Sequence, residues 1–178
     1  MAMTLIATNP DSTDVATVEF TSGLDTTYKL YVFKFIDLNA ATDATDFTFQ
    51  GSIDGGSNYN VTMTTTAVRQ RHQEDGESGQ YGYETSQDLA QATTFKILLA
   101  GMNSDADGAA AGTLWLYNPS NTTFAKNWYS RVTAMSDEPA SREYLNAGMF
   151  NDANNIDAVQ FKMASGNFDG TIKLYGVS

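Results

Sequence analysis

The stretch "TYKLYVFKFID", Thr27 to Asp37, decides the fold. Its side chains alternate with a period of two, Leu30, Val32 and Ile36 opposing Tyr31, Phe33 and Phe35. Both parities are apolar. A strand with one wet face alternates apolar with polar, whereas a strand covered on both faces does not, so this segment is expected at the centre of a β-core. Its β-branched and aromatic residues favour a pleated surface over a helix.

Outward from that centre the same period recurs. "VATVEFT" (Val15 to Thr21) sets Ala16, Val18 and Phe20 against Thr17 and Glu19, a half-buried strand. "DFTFQGSI" (Asp46 to Ile53), the reversal "DGGSNYN" and "YNVTMTTTAV" (Tyr59 to Val68) read as a hairpin. From Arg69 to Gln91 periodicity gives way to a charged, Gly-containing run expected as the longest loop, with "ETSQDLAQA" the one place for a short helix. "TTFKILLAG", "GTLWLYN", "TTFAKNWYSRVTAM", "REYLNAGMF" and "IDAVQFKMA" follow as strands. "SGNFDGTIKLYG" (Ser165 to Gly176) closes the series with Ile172 and Leu174 on one face.

About nine or ten strands at this spacing predict an all-β fold, an antiparallel two-sheet β-sandwich of jelly-roll type. Phe20, Leu30, Val32, Phe47, Phe49, Leu116, Phe161, Ile172 and Leu174 are its expected core. Residues 1–13 are expected as an N-terminal arm and 14–178 as one sandwich domain, since the three prolines all fall between strand candidates and no repeat appears.

Composition narrows the chemistry. The 178 residues include no cysteine and one histidine, His72. Disulfides, thiolate metal sites, cysteine nucleophiles and multi-histidine metal centres are therefore excluded. The net charge of −11 repels nucleic acid and anionic membrane, so neither is expected as a partner. No apolar run reaches the roughly 20 residues that span a bilayer, and "MAMTLIATNP" lacks the charged start of a signal peptide, so a soluble product made in the cytoplasm is expected.

Few groups are candidates for a site. "NSDADG" places Asn103, Asp105 and Asp107 at the first, third and fifth positions of a calcium-loop pattern. The twelfth position is Leu114 where a bidentate glutamate belongs, so the stretch reads as a solvated turn and no metal is expected. His72, in "RQRHQEDGE", lacks a nucleophile motif beside it and reads as a loop hydrophile. Arg69 and Arg71 read as a cationic spot able to meet a carboxylate of a neighbouring subunit. Trp115 and Trp128, with Tyr117 and Tyr129, would form a sugar-stacking platform if they faced solvent, and otherwise belong to a core or interface. No catalytic residue and no cofactor site is assigned.

Three blocks carry a family likeness. "VEFTSGLDTTYKLYVFKF", "GGSNYN" and "AGMFNDANNIDAVQFKMASGNFDGTIKLYGV", in that order, resemble small structural proteins of tailed bacteriophages, notably marine ones, over about Val18 to Val177. The resemblance implies a non-enzymatic virion component with no catalytic residues to transfer. The first expectation is a head decoration or cement protein at the virion surface, partnered by the major capsid protein and working as a homotrimer. The alternative is a tail-fibre or spike domain, partnered by tail proteins, that recognises a host-surface glycan. Leu5 and Ile6 of the arm and the Arg69 to Gln91 segment are the expected contact elements.

Overall fold

A computed structural model describes residues 2–76 and 79–178. Among these, twelve strands form two antiparallel sheets packed face to face. In chain order they are β1 (Met3–Thr8), β2 (Val18–Phe20), β3 (Leu30–Ala40), β4 (Thr45–Ser52), β5 (Met63–Gln73), β6 (Gly79–Tyr83), β7 (Lys96–Met102), β8 (Ala110–Tyr117), β9 (Lys126–Met135), β10 (Ala140–Phe150), β11 (Ala158–Met163) and β12 (Phe168–Val177). The larger sheet has eight strands in the order β1-β12-β3-β8-β9-β10-β5-β6. The smaller has four, β2-β11-β4-β7.

An aromatic hub joins the two sheets. Phe161 of β11 lies 5.1 Å from Phe33 and 5.3 Å from Phe35, both on β3 of the opposite sheet. On its own sheet it stacks on Phe47 and Phe49 of β4 at 6.0 and 6.1 Å. Such edge and offset contacts add about 0.5–1.5 kcal/mol each beyond the burial of the rings. Trp128 extends the hub, its ring 4.7 Å from that of Phe49.

Eight of the nine expected core residues are buried, from Phe20 to Leu174. Leu30 is only half-buried, and Ile36 is exposed, because β3 is covered on one face and not on both. Tyr31, Phe33 and Phe35 meet the small sheet, while Leu30, Val32 and Ile36 lie on the outer side, where Val32 is buried between Tyr175 and Trp115 of the flanking strands but nothing among the described residues packs as a layer. The double-sided apolarity marks an uncovered apolar surface.

Other expectations are corrected. Segments 46–53 and 59–68 are not a hairpin: β4 pairs with β11 and β7, and β5 with β10 and β6, so the chain crosses between sheets. The expected loop from Arg69 to Gln91 is largely the hairpin β5-β6, followed by a single 3-10 turn at Thr85–Gln87; Glu77 and Ser78 lie outside the described residues. The segment expected as an arm contributes β1, zipped onto β12 from Met3 against Val177 to Thr8 against Lys173, with Met1 outside the described residues. The closing strand is thereby second from the edge, and Ile172 and Leu174 are fully buried.

Two buried ammonium groups tie loops to the core. Lys96 on β7 donates to the carbonyl of Gln87 at 2.7 Å, and Lys126 on β9 donates to those of Asp152 and Ala153 at 3.0 and 2.8 Å. Burial pushes the Lys96 ammonium down to about 8, opposed by the charge of Asp88. It lowers Lys126 as well, opposed by Asp152.

Candidate binding face

Register along the large sheet fixes which side chains share its outer face, because directly opposed residues of an antiparallel pair point the same way. One row runs Leu5, Tyr175, Val32, Trp115, Tyr129, Ala147 and Thr66, from β1 across to β5. A parallel row holds Met3, Val177, Leu30 and Tyr117, with Asn127, Met149 and Thr64 beyond. Among the described residues, nine of the ten large hydrophobics that remain exposed, all but Phe124, belong to this face. A contiguous exposed apolar surface of this kind marks an interaction site, since isolated exposed hydrophobics scatter.

Further along the strands the character changes. The next row places Lys173, Lys34, Thr113 and Arg131 side by side before it continues to Leu145, Val68 and Tyr83, and the one after it holds Ala111, Thr133, Glu143, Gln70 and Tyr81. Glu143 accepts from Arg131 Nε and from Gln70 Nε2, which joins three strands by side chains. That bond and the glutamate's charge hold the Arg131 guanidinium above its usual range. Lys34 Nζ donates to Thr113 Oγ1 at 2.9 Å and lies 5.8 Å from the Trp115 ring. In a chain of net charge −11, this half of the face carries more cations than carboxylates.

The aromatic residues divide. Trp128 points into the core and is 2% exposed, whereas Trp115, Tyr117 and Tyr129 do face solvent. Trp115 and Tyr129 stack with centroids 4.3 Å apart and planes 14° apart, and Tyr117 stacks on Tyr129 at 6.1 Å. A pyranose needs an open ring face. Trp115 has Tyr129 on one side and the Lys34 ammonium on the other, so the three rings form a ladder that shows its edges, and the four-residue platform does not assemble.

The remaining candidates fall elsewhere. Asn103, 5% exposed, donates to Asp105 Oδ2 at 3.3 Å, while Asn39 donates to the carbonyls of Asp105 and Gly108. The turn is held by amides, and among the described residues no group of three acidic or histidine side chains is arranged to hold a metal ion. Arg69 pairs with Glu84 at 3.0 Å and Arg71 with Glu138, so both guanidiniums are engaged within the chain. His72 sits on β5 and not in a loop, on the outer face opposite Ser141 and Gly79. Leu5 is 51% exposed, whereas Ile6 turns inward against Gly23 and is half-buried.

Sequence reading missed the Lys34–Arg131–Glu143–Gln70 group. Its members come from four strands, and only the register aligns them. The polar alternation of β9, Asn127, Tyr129, Arg131 and Thr133 between buried neighbours, was the one available signal.

No protein-family model matches the chain, and no curated protein does. Among solved structures it is similar to the laminarinase catalytic domain from Thermotoga maritima, at 8% identity and a TM-score of 0.26, over 96% of this chain and 76% of that one.

Proposed function

We propose that this protein is a non-enzymatic structural component of a bacteriophage particle, a head decoration that docks on the major capsid protein at the virion surface and works as a homotrimer. The observation that carries the docking reading is the apolar band of the outer face where it reaches the β1 edge. Met3 and Leu5, 47% and 51% exposed, continue the row of Tyr175 and Val177 to an edge strand that has a partner on one side only. Nothing in β1 is charged and it contains no proline, so its guard against strand addition is the register shift between Leu5 and Ala7 and not charge. Subunit contacts that cover this edge remove an aggregation hazard, and many weak contacts across a lattice add up to firm attachment. The phage assignment itself rests on the likeness of the three sequence blocks.

Particle composition tests the reading. A decoration protein is present at lattice-wide copy number in purified virions, and Leu5→Lys, a change at an exposed side chain, lowers that number while leaving the melting curve unchanged. Undiminished incorporation of Leu5→Lys removes the β1 edge from the docking surface. A handful of copies per particle moves the protein to the tail, the second reading, which is favoured by the polar half of the same face. Light scattering of the purified protein tests the trimer.

A further inference from the structure

Two depressions of about 510 and 590 Å³ lie on the polar half of the outer face and meet at Arg131, Thr133 and Glu143. Together they form one groove that runs across the strands, from Ile36 and Lys34 on β3 to Tyr81 on β6. Its floor is low because β8 contributes the short side chains of Ala111 and Thr113 to the outer face.

We propose that this groove binds a neutral, linear oligosaccharide, whether the protein sits on the head or on the tail. Three features point to that ligand. The first is shape. The groove crosses strands spaced about 4.8 Å apart, close to the advance of one pyranose along an extended chain, so each strand matches roughly one sugar.

The second feature is the donor and acceptor set. Sugar hydroxyls both donate and accept, and the groove offers a guanidinium, a carboxylate and a carboxamide already coupled as Arg131–Glu143–Gln70. Arg131 uses Nε on Glu143 and is 63% exposed at its side chain, which leaves its terminal amino groups for a ligand. Preset polar groups of this kind fix orientation at little entropic cost. Tyr81, 76% exposed at the far end, supplies a ring for the apolar face of a sugar.

The third feature is charge. Glu143 is matched by Arg131, which leaves the Lys34 ammonium, bonded to Thr113 and set against the Trp115 ring, as the one unbalanced charge of this row in the groove. The field of a chain at −11 repels a polyanion approaching from solution. A neutral chain meets no such barrier.

The test uses the full-length protein with cellohexaose, maltohexaose, mannohexaose and xylohexaose, and hexagalacturonate as the acidic contrast. Amide chemical shifts and Trp115 fluorescence are read up to roughly 10 mM sugar, beyond the weak end of specific binding. The expected result is saturable binding of at least one neutral hexasaccharide, unchanged between about 50 mM and about 500 mM salt, where a charge-driven contact would weaken. Arg131→Ala and, separately, Tyr81→Ala should each weaken it by tenfold or more with wild-type melting curves. Both side chains are exposed, so folding is not at stake. The proposal is overturned if no neutral sugar binds, if only hexagalacturonate binds and salt abolishes it, or if both variants bind as wild type does. It is likewise overturned if Arg131→Ala loses no sugar but loses capsid or tail protein in virion pull-downs. Failure of Leu5→Lys to affect incorporation bears on docking alone and leaves this test intact.

Discussion

Replacing Lys96 by methionine keeps an unbranched chain, one atom shorter, at a fully buried position and removes its charge. In the folded protein burial holds that ammonium at about 8, against 10.5 when exposed. Between those values the unfolded chain binds more protons than the folded one, so stability rises with pH. The contribution is fully present above 10.5 and lost as pH falls through 8. Integrated from pH 8 to pH 10, a single group with these two values gives about 2 kcal/mol. At pH 7 the methionine variant escapes the cost of the buried charge but leaves the Gln87 carbonyl without its donor, a loss of about 1–3 kcal/mol, so the two proteins should lie close together. By pH 10 the wild type should be ahead by about 2 kcal/mol. Urea unfolding followed by tryptophan fluorescence at each pH measures the difference directly. Taking the difference cancels Lys126, which shifts in the same direction, and the range stops short of Tyr59, whose hydroxyl burial pushes up to about 12 and whose effect above pH 10 has the opposite sign. A wild-type minus variant difference that stays flat from pH 8 to pH 10 refutes the reasoning.

Phe161→Ala removes the ring that five others surround and should cost about 3–5 kcal/mol in chemical denaturation, with both sheets loosened together. Gly148→Ala places a methyl 2.6 Å from Trp128 Cζ2 and 2.8 Å from Thr65 Cγ2, so overpacking should destabilise by about 1–3 kcal/mol and shift the Trp128 emission. Chelator should leave the melting temperature unchanged, because the turn containing Asn103, Asp105 and Asp107 is held by Asn39; a clear drop would restore those carboxylates as ligands. His72→Ala should change stability by no more than about 0.5 kcal/mol in the same denaturation assay.

The period of two was enough to identify most strands and eight of nine core residues, since alternation is a property of each segment alone. Partnership was less legible. Segments 46–53 and 59–68 are neighbours in sequence with a Gly-rich turn between them, yet they enter different sheets, because Phe47 and Phe49 pack beside Phe161 while Thr64 and Thr66 face outward next to Met149 and Ala147. Charge misled at Arg69 to Gln73. The run of polar residues looks like a loop, but as the end of β5 it has partners on both sides and its guanidiniums are neutralised by Glu84 and Glu138. The candidate groove was not readable, since it depends on aligning Lys34, Arg131, Glu143 and Gln70 across four strands.

The pairing order has a consequence for biosynthesis. β1 waits for β12, β2 for β11, β3 for β8 and β12, and β4 for β7 and β11, so none of the first four strands has a neighbour encoded before Lys96. While the ribosome extends the chain, more than half of the polypeptide must be made before a first sheet contact of these strands is available. Folding dominated by such distant pairings falls in the millisecond-to-second class. During that interval "KLYVFKF" has no sheet partner, and the two lysines within it, Lys29 and Lys34, supply the charge that opposes association of such a segment between nascent chains.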